Sequence, residues 1–393
     1  MGGQEYWVWL QAALGQASTK PLALIEKFGG VRGVYDAAPL QLAQAGSLTK
    51  REIEALSSKS LEKSKAIVEA CASLGYRILT LDDEDYPRRL RDIFAPPCAL
   101  YIWGTLPPVD DRVLIAMVGT RRITEYGYEA ATKLATGLAQ CGATVVSGLA
   151  VGVDGAAHRG ALKGGGKTIA VIGCGPDINY PSQHEELRRL ISKNGAIVSE
   201  YPPGTRADRI HFPLRNRIIA GLSLGTVVVE AGSRSGSLIT ASLAAEMGRD
   251  VFAVPGSIFS EVSQGANRLI RDGAKPVCTA LDVLEEYIGL YPQTITLDAA
   301  EAAAAQRFPD QAPPKTSAAH PAPPLPTPAH PLPQGLTATQ EAVYMALNSQ
   351  PQQIDVLALQ LNLELRVLLA VMTTLEIQGL ARSLPGRRYV RAY

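Results

Sequence analysis

The sequence predicts an α/β protein: a doubly wound, mostly parallel sheet, preceded and followed in the chain by small helical blocks. Three observations carry this expectation. Between Ile78 and Ile288, short apolar runs alternate with segments of helical period. That is the pattern of a parallel sheet covered on both faces, whose strands read as continuous hydrophobic runs. Up to Tyr76 only helical periodicity is present, and beyond the sheet an Ala/Pro-rich stretch sets off a last block with its own helices and hairpin. At 393 residues the chain exceeds one ordinary core, so several domains are expected.

Residues 1–76 form the first domain. Leu22, Ile25 and Phe28, then Leu40 and Leu42, then Ile53 and Leu56 recur at helical spacing, and Gly29-Gly30 and Gly46-Ser47 break the helices apart. Residues 77–295 form the central domain. Its predicted strands are Val113–Val118, Thr144–Ser147, Thr168–Ile172, Ala196–Ser199, Thr226–Val229 and Val251–Val254. Residues 296–335 read as a linker, since their composition cannot bury a core and Pro favours extended chain. His320 and His330 are spacers in it rather than metal ligands. Residues 336–393 restart with a capping-box pattern, Thr337 to Gln340, and continue with helices over Ile354–Leu361 and Glu364–Gln378. Gly379 stops the second, and a hairpin turns at Pro385-Gly386. Three short helices and a hairpin make a winged helix-turn-helix.

Charge is nearly balanced, 38 Lys and Arg against 37 Asp and Glu, which argues against a globally basic nucleic-acid binder but leaves room for a local patch. No apolar run approaches the roughly 18 residues of a membrane span. The segment Met1–Gly15 has no basic region ahead of its apolar stretch, so a signal peptide is not expected. Cys71, Cys98, Cys141, Cys174 and Cys278 are odd in number and scattered, which fits reduced, mostly buried thiols in a cytoplasmic protein without disulfides or a metal site.

The most informative segment runs from His211 to Gly256. A strand ends in the Gly/Ser/Arg loop Ala231–Ser237, and a helix begins near Leu238. Small residues before a helix leave N–H groups free at the positive end of the dipole, which favours an oxyanion such as phosphate. Arg215 and Arg217 add charge nearby. Three more strands end in similar loops: Gly119–Arg122, Ser147–Asp154 and Gly173–Asp177. Loops leaving the carboxyl ends of strands build the ligand site of open α/β sheets, and four together outweigh any one. Arg121 lies just past a strand end, and its fork suits bidentate oxygen contacts, whereas Arg122 reads as a member of a surface salt bridge.

Other chemistries fit less well. Gly173-Cys-Gly175 begins a dinucleotide fingerprint, but Ile178 stands at its third glycine, and no Walker-type G-K-[ST] follows a strand. Asp154 and His158 lie four apart on one helix, which suits acid–base chemistry, a mutual hydrogen bond or a cap. Glu200 and Glu230 sit at strand ends, where each equally serves to hold a loop N–H. Trp7 and Trp9 read as core. The last long helix has one basic residue, Arg366, among apolar ones, a poor reader of a major groove. Its wing is basic (Arg382, Arg387, Arg388, Arg391), and a protein contact suits this block better than an operator.

MVGTRRITEYG (Met117–Gly127), VSGLAVGVDGAAHRGAL (Val146–Leu162), TIAVIGCGPDINYPSQH (Thr168–His184) and SEYPPGT (Ser199–Thr205), followed by HFPLRNRIIAGLS and EAGSRSGSLITA, resemble the DprA/Smf family in order and spacing. The resemblance covers about Leu79 to Tyr287 closely. It extends more loosely to a sterile-alpha-motif or helix-hairpin-helix-like N-terminal block and a winged-helix C-terminal block. It implies an extended Rossmann-like domain that binds single-stranded DNA, dimerises, protects incoming strands and helps load the RecA recombinase in natural transformation and recombination. No catalysis and no cofactor are implied. Carried over, the DNA pocket comprises Gly119, Thr120 and Arg121, Ser147, Gly148 and Leu149, Arg215, Asn216 and Arg217, and Ser235, Gly236 and Ser237. Tyr126, Tyr128, Tyr180, Tyr201 and Phe212 are candidates for base stacking, and the surface near Ala266–Ile270 and Val277 for dimerisation. Leu14-Gly15-Gln16-Ala17 stands where a DNA-binding hairpin would read Gly-x-Gly, so the first block is expected to contact DNA weakly at most.

An enzyme is the alternative. Nucleoside-monophosphate phosphoribohydrolases of similar fold carry P-G-G-x-G-T-x-x-E, but the loop here, Ser235–Ala241, lacks that glutamate. A transcription factor is a third reading, resting on the winged helix alone.

Overall fold

The computed structural model describes residues 3–296, 336–348, 352–361, 363–384 and 388–392. All but the first residue of the expected linker, with His320 and His330, lies outside them, as do the Pro385-Gly386 turn and Arg387. The chain divides into two units, Met1–Pro313 and Pro314–Tyr393.

Six helices open the first unit: α1 (Gln4–Leu14), α2 (Pro21–Phe28), α3 (Val31–Asp36), α4 (Pro39–Ala43), α5 (Lys50–Ser57) and α6 (Glu62–Leu74). The sheet follows, as β1 (Arg77–Thr80), α7 (Arg88–Arg91), β2 (Ala99–Gly104), β3 (Leu114–Val118), α8 (Glu125–Gln140), β4 (Thr144–Ser147), α9 (Val153–Lys163) and β5 (Thr168–Ile172). It continues with α10 (Glu185–Asn194), β6 (Gly195–Ser199), α11 (His211–Leu222), β7 (Gly225–Val228), α12 (Gly236–Glu246), β8 (Asp250–Ala253), α13 (Gln264–Arg271), β9 (Lys275–Pro276) and α14 (Ala280–Leu284). The nine strands lie in the order β1-β2-β6-β5-β4-β3-β7-β8-β9.

From β6 to β9 the pairing is parallel, with Leu114 opposite Thr144 on one side of β3 and Ile115 opposite Gly225 on the other. β1 and β2 extend the sheet antiparallel at one edge, Trp103 facing Ile197. The six strands expected from apolar runs appear with ends shifted by at most one residue. The antiparallel pair and the two-residue β9 are additions.

Both faces of the sheet are covered. On one, Leu114, Val146, Val198, Ile218 and Leu238 share a continuous buried core with Trp7, Leu10, Leu24, Leu42 and Leu56 of the opening helices. On the other, Ile115, Val145 and Val227 pack against Leu134, Leu138, Ala157 and Val283. Gln11 fastens the helices to the sheet. Its buried amide donates to Glu200 O at 2.8 Å and accepts the Ala99 N–H at 2.8 Å.

The second unit holds α15 (Ala338–Ala346), α16 (Ile354–Leu361) and α17 (Leu365–Ile377) around Val343, Leu357, Leu368, Met372 and Leu375. A sheet of β10 (Gln352–Gln353), β11 (Ala381–Leu384) and β12 (Arg388–Arg391) completes it, in the order β10-β12-β11. The expected capping box forms: Thr337 Oγ1 accepts the Gln340 N–H at 3.4 Å and Gln340 Oε1 accepts the Thr337 N–H at 2.9 Å. Among the described residues, no single helix is long and apolar enough to cross a membrane, and no group of His, Cys, Asp or Glu is placed to hold a metal ion.

Candidate functional site

The strand order reverses at β3: β4, β5 and β6 run out on one side of it, β7, β8 and β9 on the other. Connections leaving the carboxyl ends there diverge, and a cleft opens between them. One wall is the turn after β3. A Cβ on Gly119 would stand 2.5 Å from Val153 Cγ2 and 2.7 Å from Glu230 O, so the backbone approaches as only glycine allows. The Thr120 N–H donates to Glu230 O at 2.7 Å, and Thr120 O accepts the Val153 N–H at 3.2 Å.

The opposite wall is the start of α12. Ser235 is its N-cap, accepting the Ser237 N–H at 3.4 Å, with the two hydroxyls 2.8 Å apart. The positive end of this helix is therefore edged with hydroxyls, a surface suited to an oxyanion. Asn216 Nδ2 reaches Gly236 O at 3.5 Å and ties α11 to the same wall.

Arg215 of α11 forms the floor and is only 5% exposed. Its guanidinium donates to Val171 O and lies so close beneath Gly148 that any side chain there would collide with it. Its Nε has no partner among the described residues. A buried, charged donor left over in this way fits an incoming anion. Burial lowers the basicity of Arg215 and the nearby Asp154 carboxylate opposes that effect. Asp154 is buried too. Desolvation pushes its carboxyl above the ordinary range, against the pull of Arg215 and of the Ala150 N–H at 3.3 Å.

Above the floor, the exposed Arg121 stands over the Phe212 ring at 5.2 Å, and Phe212 is stacked with Tyr180 at 5.6 Å. The cleft measures about 260 Å³ and is lined by Gly119, Arg121, Asp154, Arg215, Asn216, Ser235, Gly236 and Ser237. A depression of about 30 Å³ adjoins it, bounded by Gly148, Leu149, Tyr180 and Phe212.

The residues expected to bind phosphate thus divide. The cleft and its annex gather most of them. Thr120 fixes the turn, and Ser147 is buried with its hydroxyl on Met117 O at 2.6 Å. Arg217 is a correction: it does not face the cleft. It is 8% exposed and pairs with Glu200 at 2.6 Å, with Nε donating to Ala95 O at 2.9 Å. Glu200 thus holds both a charge and a loop N–H, that of Ala17 at 3.4 Å, and Glu230 holds the loop N–H of Thr124 at 3.0 Å. Asp154 and His158 do not bond to each other, because His158 Nδ1 meets Thr168 Oγ1 at 2.7 Å. Of the aromatic candidates, Tyr201 is buried against His211 at 4.0 Å, and Tyr128 is exposed on α8 without lining the cleft. Ala266 and Val277, expected near a dimer surface, are fully buried in the core.

One feature had no sequence signal beyond single residues in a neutral total. Arg122, expected in a surface salt bridge, forms none: like Arg206, Arg209 and Arg234 it is exposed on a loop at the carboxyl edge, with no ion-pair partner among the described residues. With Arg121 they give that edge a positive rim.

In the second unit, the lone basic residue of the presumed reading helix, Arg366, is 91% exposed and 3.9 Å from Glu364. Leu365, Val367 and Leu369 are exposed on the same helix. Arg391 of the wing lies over the Tyr344 ring at 4.7 Å and donates to Tyr344 O at 2.8 Å. It is occupied within the unit.

Residues 77–288 match the profile of the DNA recombination-mediator protein A family, and residues 326–387 that of the DprA winged helix domain. The chain is 34% identical over 399 residues to Protein Smf of Synechocystis, covering 99% of this chain and 98% of that one. It is similar to the X-ray structure of DNA processing protein A from Streptococcus pneumoniae, with TM-score 0.64, 35% identity, and 72% and 97% of the two chains covered. A second similar structure is DNA processing protein A from Helicobacter pylori, described for its single-stranded DNA binding mode, with TM-score 0.50, 31% identity, and 55% and 97% covered.

Proposed function

Because this chain belongs to the DNA recombination-mediator protein A family, also called DprA or Smf, we propose that it is a non-catalytic single-stranded DNA-binding protein. In this reading it protects incoming strands and helps load RecA in natural transformation and homologous recombination. The observation that carries the reading is the meeting of three features in one cleft and the depression that adjoins it: the α12 N-terminus, the unsatisfied Nε of the buried Arg215, and the Arg121–Phe212–Tyr180 stack. The first two suit a phosphate, and the third suits a base. A polynucleotide strand presents both at once, with no need to read sequence.

The protein acts as a cytoplasmic homodimer with RecA as partner, and residues 296–335 tether a winged-helix block that contacts protein. The hydrolase alternative has less support. Ser235–Ala241 carries no glutamate, and the carboxylate that does reach the cleft, Asp154, is taken up by a loop N–H, that of Ala150, at 3.3 Å. Fluorescence anisotropy of a labelled oligothymidylate, titrated at several salt concentrations, tests the proposal. Wild-type binding is expected to weaken steeply with salt, and Arg121→Glu to weaken it at least tenfold. Unchanged affinity in that variant would misplace the site, and release of free base from nucleoside monophosphates would restore the enzyme.

A further inference from the structure

We propose that the binding edge continues past the cleft onto a second, apolar platform, formed by Tyr126, Ile258 and Phe259, which stacks the bases of a strand too long for the cleft. This rests on the reading of the cleft as a single-stranded DNA site.

The platform sits on the loop after β8. Ile258 is 79% exposed and Phe259 91%, among the most exposed large apolar side chains described. The loop is ordered by its own hydrogen bonds. Asn267 brackets Gly256, accepting its N–H at 3.1 Å and donating to its carbonyl at 3.0 Å. The Ser260 N–H donates to Ser257 O at 3.1 Å, and the Phe259 N–H to Ser257 Oγ at 3.3 Å. Two large apolar groups are therefore presented to solvent by a built backbone. Tyr126, at the start of α8, is 52% exposed and donates its hydroxyl to Pro255 O at 2.7 Å, which sets its ring beside the same loop.

The platform is continuous with the cleft. The turn after β3 is bonded to the loop after β7 through Thr120 and Thr124 on Glu230. The loop after β7 is bonded in turn to the segment after β8, where the Gly265 N–H donates to Ala231 O at 2.7 Å. β3, β7 and β8 are neighbours, so the loop that carries the platform leaves the sheet one strand beyond the segment that forms the cleft's second wall.

Charge favours a nucleic acid as occupant. Arg121 at the cleft and Arg122 and Arg234 on the neighbouring loops are exposed, against two exposed carboxylates on these segments, Glu125 and Glu261, while Glu230 is buried. Unpaired arginines interleaved with exposed aromatic and apolar side chains are what a single strand requires, cations for its phosphates and surfaces for its bases. A cleft of about 260 Å³ holds only a short piece of such a strand.

The test uses the full chain with labelled oligothymidylates of about 6 and about 20 nucleotides, the short one within the site size of a single binding groove. The double variant Ile258→Ala/Phe259→Ala is expected to lose about tenfold in affinity for the long strand and less than twofold for the short one. Photocrosslinking of bromodeoxyuridine-substituted strands should place adducts on Phe259 or Tyr126. Equal effects on both lengths, or no effect, would remove the platform. So would a weakened self-association of the double variant in sedimentation, which would make the loop a contact between copies. If Arg121→Glu leaves both strands bound as in wild type, the cleft reading fails first. If it weakens both while the double variant weakens neither, the platform alone is wrong.

Discussion

The guanidinium of Arg121 lies 5.2 Å from the centre of the Phe212 ring, on a side chain that is itself exposed. Cation and ring are thereby held as a pair at the mouth of the cleft. They offer a strand two different contacts, one electrostatic and one by stacking.

These contacts can be separated by salt. Phe212→Leu should weaken oligothymidylate binding by roughly 1–3 kcal/mol while leaving its salt dependence unchanged. Arg121→Gln should lower the slope of log K against log salt by about one phosphate contact. Anisotropy titrations at four or more salt concentrations read both. If the Phe212 variant changes the slope instead, the ring does not stack a base.

Gly148→Ala should act on the cleft without touching its polar groups. The added methyl meets the Arg215 guanidinium, which packs directly beneath. Overpacking of this kind costs about 1–3 kcal/mol of stability, and it displaces the floor of the anion site. A lowered melting temperature together with at least tenfold weaker binding is expected. Unchanged values of both would show that Arg215 is free to move aside.

Glu200→Gln should damage the fold more than the site. Glu200 and Arg217 are paired at 2.6 Å with 3% and 8% of their side chains exposed. Leaving one member of a buried pair unpartnered costs about 3–5 kcal/mol. Thermal melting should register that loss, while DNA affinity well below the transition stays within twofold of wild type. Weaker DNA binding by Arg217→Gln at undiminished stability would return Arg217 to the site.

His158 should make the protein acid-sensitive. Thr168 Oγ1 donates to Val145 O at 2.8 Å, so it accepts from His158 Nδ1–H, and Nε2 is left as a buried acceptor without a partner. Burial depresses the His158 pKa from 6.5 to about 3. The unfolded chain therefore takes up this proton before the folded one. The stability is fully present above pH 6.5 and is lost as pH falls toward 3, by at most about 1.4 kcal/mol per unit. His184, also depressed by burial, adds in the same direction. Denaturant unfolding across this range should show a shallower slope in His158→Gln than in wild type.

The parallel strands were legible because burial on both faces makes each a run of Val, Ile and Ala with no alternation to misread. β9 and β10 have two residues each, too few for any period to register. Arg121 was legible from its position just past a strand end. Arg217 was misread although geometry argued against it. Two residues along a helix are turned about 200° apart, so Arg215 and Arg217 cannot both face one cleft. The burial of Arg215 and the outward display of Phe259 depend on packing between distant segments, which no local pattern encodes.

Gln11 has a consequence for how the protein comes apart. Its one amide closes a backbone N–H of β2 and the carbonyl that follows β6. Those two groups have no stake in the helical block by sequence, yet each loses its partner if that block peels away. Denaturation of residues 3–296 is therefore expected as one cooperative event. Fragments cut at residue 77 would begin with a buried N–H at the start of β2 and a carbonyl just after β6 both left without partners.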